Sequence, residues 1–156
     1  MNNVKKLFFV FIIFTCFSVS TLASTHQSEQ LNLASLAEFY NQQSDSIWLN
    51  NQQLTHRAHD ALDFIAASVH HGLSPNKYHY SLLKEFELSP DPASSTKFEQ
   101  YLTDGLLKLI SDISIGQFTP TEADPEWFIP QGKINSIDFL QQALITPHFK
   151  SQLNSL

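Results

Sequence analysis

Residues 96–116, TKFEQYLTDGLLKLISDISIG, constrain the fold more than any other stretch. Phe98, Tyr101, Leu102, Leu106, Leu109, Ile110 and Ile113 keep helical spacing, which predicts an amphipathic helix of about five turns. A helix of that length must bury its apolar stripe against other elements, so the remaining segments have to wrap it. Gly105 sits inside it at a cost of about 1 kcal/mol against alanine, and a glycine there lets another helix come close. Gly116 closes the helix.

The other segments also read as helices. Leu33, Leu36, Ala37 and Tyr40 share one helical face, and the polar run QQSDS ends that piece. Ile47, Trp48 and Leu49 form a short apolar knot, followed by NNQQ, read as a turn. Thr55 is an N-cap for HRAHDALDFIAASVHH, whose buried stripe is Leu62, Ile65, Ala66 and Val69. Gly72 then stops the helix in a left-handed conformation, and Leu73 folds back on its last turn. Ser74 and Pro75 restart the chain as N-cap and first helical residue of a piece running to about Leu88, with Tyr78, Leu82, Leu83 and Phe86 inward. SPDPASS is read as a loop, and SIDFLQQAL and PHFKSQLNSL as a closing pair of short helices. No stretch alternates with period two for long. The expected fold is all-α, a bundle of about five or six helices.

The first 23 residues are expected to stand apart as a signal peptide. Lys5 and Lys6 are followed by the apolar run Leu7–Val19 and the small-residue exit STLAS, which places cleavage after Ala23. The run is short for a span of about 20 residues. Residues 24–32 read as a flexible lead and 33–156 as the folded domain. Cys16 is the only cysteine and lies in the leader, so the exported chain is expected to hold no disulfide, thiolate metal site or cysteine nucleophile. Cleavage removes two lysines and no acid, leaving seven basic against fifteen acidic residues, a formal charge of −8. Such a chain is a poor fit to nucleic acid and has no basic amphipathic face for a membrane.

Candidate chemistry is sparse. There is no G-x-S-x-G, and the four glycines match no phosphate loop. His56, His59 and Asp63, and separately His70, His71 and His79, carry metal-ligating atoms, although a zinc site needs three or four that converge. His70 and His71 equally suit the end of a helix. Glu122, Asp124 and Glu126 crowd one loop, and Asp60 and Asp63 share a helix, so a glycan hydrolase built on the Glu122–Glu126 acids is a second option. Trp48 and Trp127 read as core anchors before sugar platforms. No cofactor is expected.

Four motifs in order carry a resemblance: Trp48-Leu49-Asn50-Asn51, then His71-Gly72-Leu73-Ser74-Pro75 with Tyr78 and His79, then Gly116 with Pro120, then Asp124-Pro125-Glu126-Trp127. The series resembles the scaffold domain near the N-terminus of large periplasmic L,D-transpeptidases, over roughly residues 33–155. The resemblance implies a helical domain in the periplasm that takes part in peptidoglycan cross-linking, with peptidoglycan or a cell-wall enzyme as partner. It implies structural roles for the motif residues. The family's catalytic domain works through the cysteine of an S-H-G-C motif, which this sequence lacks, so no catalytic residue carries over. The segment SISIGQ also lacks the basic residue expected near that glycine. The expected reading is therefore a non-catalytic scaffold, either free-standing or the front of a truncated family member. A histidine-based periplasmic metal binder is the third option.

Overall fold

Six α-helices stand among the described residues: α1 (Leu33–Tyr40), α2 (His56–Ala66), α3 (Tyr80–Leu88), α4 (Ser95–Ile115), α5 (Ser136–Ile145) and α6 (Phe149–Leu153). The computed structural model describes residues 30–41, 43, 46–115 and 134–156. The expected leader and most of the lead after it lie outside the described residues, as do Gly116, Pro120, Glu122, Asp124, Pro125, Glu126 and Trp127. The fold class is all-α and compact, as expected.

The long helix α4 is the axis of the fold. Helices α1, α2, α3 and α5 pack on it, as does a 3-10 turn at Pro75–Tyr78. Its expected stripe is inward: Phe98, Leu102, Leu106, Leu109 and Ile110 are buried, with Tyr101 and Ile113 at the margin. Thr103, Asp104, Gly105 and Leu107 are buried too, so the middle of α4 is enclosed on all sides. Burying each large aliphatic chain there contributes about 1.5–3 kcal/mol. Gly105 permits the closest approach. A Cβ at that position would lie 2.6 Å from the Tyr78 carbonyl oxygen, closer than any side chain tolerates. Leu140, Ala143 and Leu144 of α5, with Phe149 and Leu153 of α6, complete the core.

The capping chemistry explains where helices start and stop. The Thr55 hydroxyl accepts the Ala58 N–H at 3.2 Å and opens α2. Asn32 does the same for α1, accepting from Ser35 N–H, and Asn135 for α5, accepting from the N–H groups of Ile137 and Asp138. After α2 the chain tightens into a 3-10 turn at Ala67–His71. Gly72 follows at φ +72°, with Leu73 N–H bonded to Ser68 O and Gly72 N–H to Val69 O, the paired bonds of a Schellman stop. Leu73 is buried, as its fold-back requires.

Several local expectations are corrected. Leu33 and Ala37 are exposed, and the inward face of α1 is Leu36, Phe39 and half-buried Tyr40. Val69 is exposed because the 3-10 tightening after Ala66 rotates it off the α2 stripe. Ser74 holds the N-cap position before Pro75, but its side chain makes no cap bond. The segment from Pro75 to Leu88 is not one helix. It is a 3-10 turn and α3, separated by His79 at φ +62°. Residues read as a turn, NNQQ, form a hairpin: β1 (Leu49–Asn50) pairs antiparallel with β2 (Gln53–Leu54), Leu49 opposite Leu54. Asn51 and Gln52 both have positive φ, the signature of a two-residue type I′ loop. The loop SPDPASS contains a 3-10 turn at Pro92–Ser94, opened by Asp91.

Candidate functional site

The polar side chains of α4 fall on two rows with four-residue spacing, Glu99–Thr103 and Asp104–Lys108–Asp112, and each row grips a different part of the chain. The first row holds the segment before the hairpin. The Glu99 carboxylate accepts backbone N–H groups from Ile47 at 3.3 Å, Trp48 at 3.0 Å and Leu49 at 2.9 Å, and also the Ser46 hydroxyl. Three consecutive N–H groups around one carboxylate form an anion nest filled from within the chain. One turn on, Thr103 Oγ1 accepts the Trp48 indole N–H at 2.8 Å and shares a hydrogen bond with the Tyr40 hydroxyl at 2.8 Å. Burial pushes the Tyr40 phenol up to about 12 against the opposing pull of the Thr103 bond, and the Glu99 charge adds to the rise.

The second row holds the restart. His79 Nε2 donates to Asp104 Oδ2 at 2.6 Å, with both side chains buried. Lys108 Nζ lies 2.7 Å from the same oxygen, and the Asn32 N–H donates to Oδ1 at 2.8 Å. Burial would raise the Asp104 carboxyl, yet the bonds from His79, Lys108 and Asn32 outweigh it and hold the group below the usual carboxylate value. Asp112 accepts from Lys77 Nζ at 2.8 Å and from the Tyr78 hydroxyl at 2.7 Å. Burial, then the Asp112 bond and charge, raise the Tyr78 phenol far above its ordinary value. A histidine–aspartate pair can orient a general base only if the second ring nitrogen reaches a substrate. Here His79 Nδ1 is buried without a hydrogen-bond partner among the described residues, and the ring packs edge-on to Tyr101 at 4.8 Å. The pair binds α4 to the restart and, through Asn32, to the start of α1.

The candidate ligands of the sequence are dispersed. His56 pairs with Asp60 at 3.1 Å, His59 with Glu87 at 3.3 Å, and Asp63 with Lys150 at 2.9 Å. His70 and His71 are exposed in the turn after α2 and lie beside Leu153, while His79 is buried with Asp104. No group of three His, Cys, Asp or Glu side chains among the described residues is arranged to hold a metal ion. The motif residues are spread around the core. Trp48 is fully buried, with its ring 6.0 Å from Phe149, and Leu49 is buried beside it while Asn50 is exposed in the hairpin. Gly72 and Leu73 make the stop, Pro75 opens the turn, and Tyr78 is fully buried against Gly105. The polar partners Glu99, Thr103, Asp104 and Asp112 escaped the sequence reading. Their signal was a set of polar residues at four-residue spacing inside an apolar helix, with Asp104 next to Gly105 at its centre.

A family model described as Scaffold domain matches residues 34–156. The chain belongs to the Scaffold domain family. No curated protein and no solved structure matches it. The two polar rows give this scaffold domain its internal frame, since each ties segments far apart in sequence to α4. No helix among the described residues is long and apolar enough to cross a membrane.

Proposed function

We propose that this scaffold domain is a non-catalytic part of an L,D-transpeptidase-like protein, working on peptidoglycan cross-linking in the periplasm. The family match over residues 34–156 supports the scaffold part of the reading. The motif order Trp48-Leu49-Asn50, Gly72-Leu73-Ser74-Pro75 and Tyr78 supports the link to transpeptidases. The leader-like residues 1–23 support export. The cross-linking chemistry of that family needs a cysteine thiolate, and the only cysteine here, Cys16, lies within the leader-like stretch. The domain's own part is then to hold peptidoglycan or a wall enzyme.

The test is co-sedimentation of purified residues 24–156 with peptidoglycan sacculi, alongside an assay for muropeptide cross-linking or release. Binding without turnover is the expected result. Turnover by the purified domain overturns the non-catalytic reading, and absence from the sacculus pellet overturns direct attachment to the wall.

A further inference from the structure

A cleft opens between the hairpin and the start of α4, beside the Glu99 nest. Its volume is about 440 Å³, within the range of small-molecule sites. Tyr40, Leu49, Asn51, Gln52, Thr96 and Gln100 line it. Ser95 lines it as well, and its buried Oγ has no hydrogen-bond partner among the described residues. Among the described lining residues there is no lysine or arginine. The one ionised group, Glu99, is already engaged by Ser46 and the N–H groups of residues 47–49. The cleft therefore offers neutral hydrogen-bonding groups and two less polar walls, Tyr40 and Leu49.

The hairpin loop adds a second observation. Asn51 and Gln52 hold φ of +49° and +68°, a region that glycine occupies without strain. A glutamine at the second position costs the loop stability, and Gln52 is one of the residues lining the cleft. Each of the amides of Asn51, Gln52 and Gln100 supplies both donors and an acceptor. The loop itself is fixed, because Leu49 and Asn50 pair with Leu54 and Gln53, and the preceding residues are bonded to Glu99. Neutral amides carried on a fixed backbone beside Tyr40 and Leu49 suit an uncharged ligand with many polar groups and an apolar face. A sugar has that chemistry. A peptide fits less well: strand addition needs a free edge, the ribbon is two residues long, and the Leu49 N–H is already given to Glu99.

We infer that this cleft binds a neutral, N-acetylated oligosaccharide strand; the choice of glycan rests on the cell-wall reading above. The test titrates the chain, purified after export, with chitotetraose and separately with an isolated stem peptide, following amide shifts by NMR. Sacculus co-sedimentation is run in parallel. Gln52→Gly is the main variant, because glycine suits the loop and the fold should be kept or strengthened. Gln100→Ala is the second. Each is expected to weaken chitotetraose binding about fivefold, the worth of one hydrogen bond. Binding of chitotetraose that both variants leave unchanged overturns the cleft, as does binding of the stem peptide alone. Sacculus binding with no response to chitotetraose overturns the cleft and leaves the cell-wall reading standing. Chitotetraose binding weakened in the variants, without sacculus binding, supports the cleft and overturns direct attachment to the wall.

Discussion

The backbone turns left-handed on both sides of the Pro75–Tyr78 turn, at Gly72 and at His79, by two different means. Gly72 is exposed, and no atom of the described residues lies within 4 Å of where its Cβ would be. Its two bonds, to Ser68 and Val69, are local. His79 is buried, carries a full side chain, and is held by Asp104, 25 residues further on. A left-handed conformation costs a non-glycine residue about 1–2 kcal/mol. At Gly72 composition removes that cost. At His79 a buried, charge-assisted bond offsets it, and the turn between them fits because Gly105 leaves room for the Tyr78 carbonyl. One junction is local chemistry and the other depends on the assembled core.

That contrast sets the order of expected effects. Asp104→Ala leaves His79 and Lys108 facing a site without their carboxylate, and is expected to cost about 3–5 kcal/mol in urea unfolding. A loss below about 1 kcal/mol would show that His79 holds its conformation without Asp104. The pH dependence follows from the lowered Asp104 pKa. A depressed carboxyl contributes stability that is present above its unfolded pKa and lost as pH falls through the folded one. The stability gap between wild type and Asp104→Asn should therefore narrow as pH falls below about 4.

Gly105→Ala comes next. Its methyl group would meet the Tyr78 carbonyl oxygen at 2.6 Å, and a backbone atom cannot swing aside. The expected loss is about 1–3 kcal/mol, even though alanine is the better helix former. Gly72→Val meets no steric obstacle and suffers only from its positive φ, so about 1–2 kcal/mol is expected in the same assay. Equal losses at the two glycines would blur the distinction between room and conformation. The smallest effect belongs to Ser74→Ala. Its hydroxyl makes no cap bond, so the melting temperature should stay where a change within about 0.5 kcal/mol leaves it.

The legible parts of the fold were those coded within one or two turns. Helical spacing placed α4, Thr55 announced α2, and Gly72 with Leu73 announced the stop. Gly105 was legible as a point of close approach, though not what would approach it. The break at His79 was not legible, because no local residue signals it and its partner lies 25 positions away. The hairpin hid for a related reason: Asn51 and Gln52 replace the asparagine–glycine pair that normally marks such a loop. Periodicity also overreached, assigning Leu33, Ala37 and Val69 to buried faces when all three are exposed. The partners Glu99, Thr103 and Asp104 became visible only once distant segments were beside α4.

The nest around Glu99 has a consequence for the order in which the molecule assembles. The donors at residues 46–49 wait for a carboxylate 50 to 53 positions downstream, and the Asn32 N–H waits for Asp104, 72 positions away. A chain emerging from its N-terminus has α1 and the hairpin early but lacks what pins them until α4 is out. Each of those contacts closes a long loop before it returns any stability, which slows folding. The first half of the domain thus stays an unfinished collection of parts, and a fragment ending before Glu99 has nothing to fold around.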